Sequence, residues 1–417
     1  MKIIYLHQYF KTPDMSGGTR SYEMARRLVT AGHEVHMITS WTEDTDHTDW
    51  FEEDVEGIKT YWYPTSYNNA MSFSDRVKAF LKFAKAASLK ASSFKDADIV
   101  FATSTPLTIA IPAISASKFL KVPMVFEVRD LWPEIPIAIG ALNNPLLKFL
   151  AKRLEKLAYT NSSAVVALSP GMKKGVIKTG YPSDKVAVIP NSSDNREFKY
   201  DSHAADSFRA SRAWLDNSPL LVYTGTFGKI NGVGYMVELA KELKKLNSSI
   251  KILLVGDGAE KDRVIAKAKS IGVLEDNLFY ESQIPKKDIP ALLSAATIAS
   301  ALFIDLPEMR PNSANKFFDA LASGTPIFLN YGGWMHELVN KHGCGITAWQ
   351  MNIKEAAKQL DEKLQDSDWL NKASISARQL AEQEFDRDKL AQQLMTVLEL
   401  VSEGKFQQVE SVAPGEY

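Results

Sequence analysis

The sequence holds a single cysteine, Cys344. That excludes an intramolecular disulfide framework and a cysteine-clustered zinc site, and it suits a reducing cytoplasm. The seven histidines are scattered and show no metal-ligand spacing. Basic and acidic residues nearly cancel, 49 against 50, which argues against a nucleic-acid binder held by bulk positive charge. No run approaches the roughly 18 apolar residues that a membrane span needs. The opening MKIIYLHQYF turns polar too soon for a signal peptide. What is present is a chain 45% hydrophobic and 24% charged, the balance of a soluble globular protein. Its 417 residues exceed one compact core and suit two domains of about 200 each. A soluble, cytosolic, two-domain protein is expected.

The first segment reads as a strand over Lys2–His7, a loop with Ser16-Gly17-Gly18, a helix over Arg20–Thr30 stopped by Gly32, and a strand over Glu34–Thr39. Strand, glycine loop, helix and strand make a parallel unit with a right-handed crossover. Further strands are expected at Ile58–Tyr63, Ile99–Ala102, Met124–Val128, Ala164–Leu168 and Val186–Ile189. After Pro190-Asn191 and a polar stretch, a second series follows at Leu220–Thr224, Ile252–Val255, Leu278–Tyr280, Ile298–Phe303 and Pro326–Leu329. Such alternation predicts an α/β fold of two doubly wound, Rossmann-like domains with parallel sheets. The boundaries are placed at 1–200, 201–384 and a terminal segment 385–417, whose helix over about 388–402 carries Leu390, Leu394, Val397 and Leu398 on one face. That helix is a candidate to cross back to the first domain, and the polar tail beyond Gly404 is expected to be disordered.

Ligands of open parallel sheets sit at the carboxyl ends of the strands. Gly17-Gly18 precedes a helix, where backbone N–H groups favour an anion; the same residues also suit a plain strand-to-helix turn. Gly225-Thr226-Phe227-Gly228-Lys229 and Gly256-Asp257-Gly258 present the same choice. The stretch from Pro311 through Ala322, ended by Gly324, reads as a helix with Asn315 and Asp319 on one face. Lys316 is placed to oppose a diphosphate and Asp319 to accept from ribose hydroxyls; a capped helix with a solvated charge pair is the alternative. Arg129-Asp130 follow the strand Met124–Val128 and are candidates for substrate contacts or for pairing with each other.

Two charge blocks stand out. Residues 41–57 hold eight acidic and no basic residues, and 76–95 hold six basic and no acidic ones. The acidic block has no evident role. In the basic one, Val77, Phe80, Leu81 and Ala84 share a face, and Lys78, Lys82 and Lys85 share another. This pattern fits either a helix on an anionic membrane surface or a surface helix packed on its own sheet. Lys148, Lys152, Arg153 and Lys156 form a second basic stretch.

Together these motifs resemble retaining glycosyltransferases of family 4, with the GT-B fold. The resemblance rests on Gly17-Gly18, Ala31-Gly32-His33-Glu34-Val35, Leu168-Ser169-Pro170-Gly171-Met172 and Val188-Ile189-Pro190-Asn191. It extends through Val255-Gly256-Asp257-Gly258, Leu292–Thr297 and Asp319 to Pro326. Arg129-Asp130-Leu131-Trp132-Pro133 and Asn315-Lys316-Phe317-Phe318-Asp319 resemble the bacterial O-antigen and capsule branch that includes N-acetyl-L-fucosamine transferases. The resemblance implies a UDP-linked sugar donor and a polyprenyl-diphosphate-linked saccharide acceptor. On that account no metal is needed; with the charge patterns above, contact with the inner face of the plasma membrane through helix 76–95 and no nucleic-acid partner are expected. Catalytic roles fall to Arg129, Asp130 and Lys316, and donor contacts to Gly17, Gly18, Thr226, Lys229, Gly256, Asn315 and Asp319. Arg129 stands where many members have a histidine. Pro311 replaces the first glutamate of the family's E-x7-E pair, and Thr226 and Asn231 replace its basic phosphate pair. Lys316 and Lys229 are candidates to supply the missing charge. An epimerase or hydrolase of the same fold, or a non-catalytic nucleotide-binding subunit, remains open.

Overall fold

The structure, a computed structural model, describes residues 1–15, 17–65, 71 and 73–417. The loop residue Ser16 lies outside the described residues. The chain forms two compact units. One comprises Met1–Pro190, Pro311–Ser313 and Asp388–Glu416; the other comprises Asn191–Arg310, Ala314–Arg387 and Tyr417.

The first unit runs β1 (Lys2–Leu6), α1 (Arg20–Thr30), β2 (Glu34–Trp41), β3 (Phe51–Val55), β4 (Ile58–Pro64), α2 (Phe73–Ala91) and β5 (Ile99–Thr103). It continues with α3 (Ala110–Leu120), β6 (Met124–Val128), α4 (Glu134–Ala138), α5 (Pro145–Thr160), β7 (Ala164–Ala167), α6 (Pro170–Lys178) and β8 (Val186–Val188). Among the described residues the strands form one sheet in the order β3-β4-β2-β1-β5-β6-β7-β8. The strand sequences KIIYL, IVFAT and AVVA are apolar nearly throughout because both faces of the sheet are covered. Alternation divides them: Ile4, Leu6, Val100 and Ala102 enter one core, and Ile3, Tyr5, Ile99 and Phe101 the other.

The acidic block has a structural place that composition does not reveal. Its residues 51–55 form β3, antiparallel to β4 at the sheet edge, with Glu52, Glu53 and Asp54 exposed. Charged side chains on an edge strand discourage pairing with another chain. The two opposed blocks also meet, since Lys90 of α2 donates to Glu52 at 3.0 Å. The apolar face expected for α2 needs correction. The buried stripe runs through Phe83, Ala84, Ala87 and Ala91, whereas Leu81 is 49% exposed. The i, i+4 spacing of 83, 87 and 91 faces the sheet, so this helix packs as an ordinary covering helix.

The second unit runs α7 (Ser202–Ala210), β9 (Leu220–Thr224), α8 (Gly234–Lys245), β10 (Lys251–Val255), α9 (Lys261–Ser270), β11 (Leu278–Glu281) and α10 (Ile289–Ala295). Then come β12 (Ile298–Ala301), α11 (Asn315–Ala322), β13 (Ile327–Leu329), α12 (Trp334–His342), β14 (Gly345–Thr347), α13 (Ile353–Leu364) and α14 (Ser367–Glu384). All described strand pairs are parallel, in the order β11-β10-β9-β12-β13-β14. In both sheets the winding reverses beside the first strand, between β1 and β5 and between β9 and β12. Each reversal opens a crevice of its own at the carboxyl ends of its sheet's strands.

The chain then supplies α15 (Arg387–Ser402) and α16 (Val409–Val412). Leu390, Leu394, Val397, Leu398 and Val401 join the core of Ile3 and Tyr5. The expectation of a disordered tail is overturned. Val409 is fully buried, Val188 N–H donates to the Ala413 carbonyl at 2.8 Å, and α16 packs along β8. Val409 and Ala413, buried four residues apart, with Val412 and Phe406 packed beside them, dock this short helix on the core.

Candidate functional site

In the first unit, the crevice between β1 and β5 gathers polar side chains from adjacent strand ends. The carboxylate of Glu127, in the middle of the otherwise apolar β6, is fully buried. Arg20, the first residue of α1, meets it at 2.9 Å and also donates to the carbonyls of Ile189 and Pro190. Thr103 donates to the other carboxylate oxygen at 2.7 Å. The paired charge of Arg20 holds the Glu127 carboxyl below the usual range against the opposing effect of burial. This network ties the start of α1, which Gly17 and Gly18 precede, to β6 and to the chain that leaves β8. Thr19, the residue flanking the helix start, makes no side-chain cap, so the first-turn N–H groups depend on backbone or ligand partners.

Arg129 and Asp130 follow β6. The Arg129 backbone N–H donates to Ser104 Oγ at 3.0 Å, and Arg129 Nη1 lies 3.3 Å from His7 Nε2. Burial raises the Asp130 carboxyl to about 6, against the smaller lowering effect of Arg129. Asp130 therefore exchanges a proton close to neutral pH, the condition for acid–base work. The 3.3 Å contact shows that Arg129 engages His7, a residue that sequence reading absorbed into a strand.

In the second unit, the turn after β9 and the turn after β10 stack on each other. A Cβ on Gly256 would land on the Gly225 carbonyl oxygen, and Gly225 N–H donates to the Val255 carbonyl at 2.9 Å. Both glycines also have positive φ, 135° and 149°, so side chains are excluded twice over. Gly256 is buried and acts through this backbone packing. Thr226 is exposed, and its carbonyl accepts from Tyr223 Oη at 2.8 Å. Lys229 is exposed at the start of a 3-10 turn spanning Lys229–Asn231.

The helix expected from Pro311 begins at Asn315. Its flanking residue, Ala314, has no side chain to cap the first turn, so the N-terminus of α11 presents uncapped N–H groups. Lys316 sits in that turn. Its Nζ lies 4.2 Å from the centroid of the Tyr223 ring, and a Cβ on Gly225 would stand 2.7 Å from it. No carboxylate among the described residues pairs with this ammonium, and desolvation pushes it down to about 7. Asp319, on the buried side of α11, accepts from Ser193 Oγ at 2.8 Å. The structure thus brings Gly225, Gly256 and Lys316 together, and it adds Tyr223, which sequence reading left in the strand core. A cation over an aromatic face, next to a glycine turn and a helix N-terminus, is a chemical setting that suits a phosphate group. Among the described residues no three His, Cys, Asp or Glu side chains gather as a metal site.

Comparison with known proteins bears on both units. Residues 17–192 match the family model described as glycosyl transferase 4-like domain, and residues 205–380 match glycosyl transferases group 1. A putative colanic acid biosynthesis glycosyl transferase of Escherichia coli is 24% identical over 296 residues, covering 68% of this chain and 72% of that protein. Among solved structures, HepE of Anabaena in complex with UDP superposes with a TM-score of 0.71 at 16% identity, covering 96% of this chain and 100% of that one. Sucrose-phosphate synthase of Thermosynechococcus elongatus gives 0.77 at 16% identity, covering 96% and 98%. At this identity the structural likeness establishes the fold of two Rossmann-like domains.

Proposed function

Because the chain is a glycosyltransferase of the GT-B fold, we propose that its donor is a UDP-linked sugar, an N-acetyl amino sugar such as N-acetyl-L-fucosamine. The acceptor is a polyprenyl-diphosphate-linked saccharide of O-antigen or capsule assembly, and the transfer retains anomeric configuration. The colanic acid relative and the UDP complex of HepE support polysaccharide synthesis and a UDP donor respectively. The observation that carries the reading is the unpaired Lys316 ammonium beside Gly225 and the α11 N-terminus.

In this mechanism Lys316 and the first-turn amides of α11 stabilise the leaving diphosphate, the largest single term expected for such chemistry. In the first unit, the amides of Gly17 and Gly18 at the start of α1 offer a further anion-binding turn for the donor. Thr226, Lys229, Asn315 and Asp319 hold the nucleotide, and Arg129 meets the reacting sugar. As the new glycosidic bond forms and the C1–O bond to the diphosphate breaks, a donor phosphate oxygen receives the acceptor hydroxyl proton, and Asp130 contacts the substrate beside Arg129.

No described helix is long and apolar enough to cross a membrane. The proposed contact with the inner face of the plasma membrane falls instead to α5, with α2 beside α3 as a secondary element. On α5, Leu146, Phe149 and Leu150 are 64%, 60% and 48% exposed, and Arg153 and Leu157 continue the same face. An apolar stripe bordered by Lys152, Arg153 and Lys156 is the pattern of an interfacial helix.

The test is a thermal-shift panel of UDP, GDP, ADP and dTDP on the wild type and on Lys316→Ala. A ligand at 100 times its Kd adds about 2.7 kcal/mol. Selective stabilisation by UDP that the substitution abolishes supports the assignment. No shift with any nucleotide at millimolar concentration refutes it.

A further inference from the structure

Arg129 is assigned above to the reacting sugar, and its reach depends on what holds its guanidinium. The backbone side is fixed: Arg129 N–H donates to Ser104 Oγ at 3.0 Å, and Ser104 N–H in turn donates to the Glu127 carbonyl at 2.9 Å. The side chain meets one ring nitrogen, His7 Nε2, at 3.3 Å. His7 follows β1 directly, is 3% exposed, and donates its own backbone N–H to the Ile38 carbonyl at 3.2 Å. Its ring is therefore anchored at the switch point between β1 and β5.

The chemistry of the pair leaves one arrangement. A guanidinium has five donors and no acceptor, so a hydrogen bond to His7 requires Nε2 to carry a lone pair. The ring proton then lies on Nδ1, which has no partner among the described residues. Burial first, and the Arg129 charge second, hold the imidazole well below its ordinary pKa, which keeps that lone pair available at any physiological pH.

We infer that His7 is a positioning residue that, through Nε2, holds the Arg129 guanidinium at the crevice between β1 and β5. The inference rests on Arg129 serving the transfer reaction. No other hydrogen bond to this guanidinium is formed among the described residues, so without His7 it swings about the side-chain torsions from its backbone anchor. A displacement of about 1 Å at a reacting centre costs up to 10²-fold in rate.

Two measurements on the full chain test this. The first is the 15N spectrum of the imidazoles, with the His7 signals assigned by His7→Gln. The expected signature is a neutral ring protonated on Nδ1 that does not titrate down to pH 5 and that shifts toward the other tautomer in Arg129→Ala. A ring that titrates near 6.5, or a tautomer unmoved by Arg129→Ala, overturns the pairing. The second is UDP release from whichever of UDP-glucose, UDP-galactose and UDP-N-acetylglucosamine the wild type consumes fastest. His7→Leu is expected to lower kcat about 30-fold while leaving the Kd for UDP within about twofold, and His7→Gln, which keeps an acceptor, stays within about threefold of wild type. In the Arg129→Ala background His7→Leu costs nothing more, since both act through one group. Additive losses, or a glutamine no better than leucine, overturn the role of His7. Failure of the wild type to bind UDP, or full activity in Arg129→Ala, instead sinks the functional reading beneath it.

Discussion

If the Lys316 ammonium receives the donor diphosphate, donor affinity depends on pH in a defined direction. Burial sets its pKa at about 7 in the empty site, and a bound diphosphate draws it back toward the ordinary lysine value by favouring the charged form. The bound pKa exceeds the free one, so binding takes up a proton. Affinity is then level below pH 7 and falls by about tenfold per pH unit above it. Because half the ammonium is already deprotonated at pH 7, the Kd of a UDP-sugar rises about 50-fold between pH 7 and pH 9, or about 2.3 kcal/mol. A UDP-sugar is the better probe than UDP, because its diphosphate diester does not itself titrate near neutrality. Isothermal titration at pH 6, 7, 8 and 9 reads the slope, and buffers of different ionisation enthalpy count the proton. Lys316→Met removes the titrating group, so its Kd is weaker by about 10- to 100-fold at pH 6 and flat with pH. A wild-type Kd constant within twofold from pH 6 to 9, or an unchanged slope in the methionine variant, refutes the reasoning.

The same group has a converse effect on stability. Its folded pKa lies below the unfolded value, so the folded state binds fewer protons and stability rises with pH between about 7 and 10.5. Lys316→Met is therefore expected to raise the unliganded thermal midpoint at pH 6, with the gain fading toward pH 10; an equal gain at both pH values contradicts it. Arg20→Met leaves the Glu127 carboxylate buried and unpaired and costs about 3–5 kcal/mol, read by urea denaturation of the first unit; a loss under 1 kcal/mol would mean that Thr103 alone satisfies that carboxylate. Gly256→Ala drives a methyl into the Gly225 carbonyl, so UDP binding falls at least tenfold together with stability. Phe149→Glu with Leu150→Glu abolishes flotation with anionic vesicles and leaves UDP affinity intact; undiminished flotation removes α5 from the membrane contact.

Much of the architecture is legible in the sequence because parallel strands buried on both faces read as short apolar runs closed by glycine. The strand β3 escapes that reading. In FEEDV only the two ends are apolar, and an edge strand needs no more. The α16 docking escapes for the same reason, since its few apolar contacts are scattered through a polar tail. The candidate site divides in a similar way. Glycine turns and the lysine at 316 are visible as residue types at strand ends. What they touch is set by tertiary packing: Tyr223 beneath Lys316, Glu127 against Arg20, and His7 with Arg129 come from distant segments. Charge pattern and exposed apolar surface fall on different helices. The helix with the more regular charge pattern, α2, buries its apolar stripe, and the exposed stripe belongs to α5.

The first unit draws on residues from both sides of the second in the chain, and this orders its assembly on the ribosome. While residues 191–387 are being made, the sheet face bearing Ile3, Tyr5, Ile99 and Phe101 waits without Leu394, Val397 and Leu398. The second unit, encoded later, can close before the first does. During that interval the nascent chain carries an uncovered apolar face, the kind of surface that holdase chaperones retain. A frameshift near codon 388 would accordingly cripple the unit encoded first and spare the one encoded second.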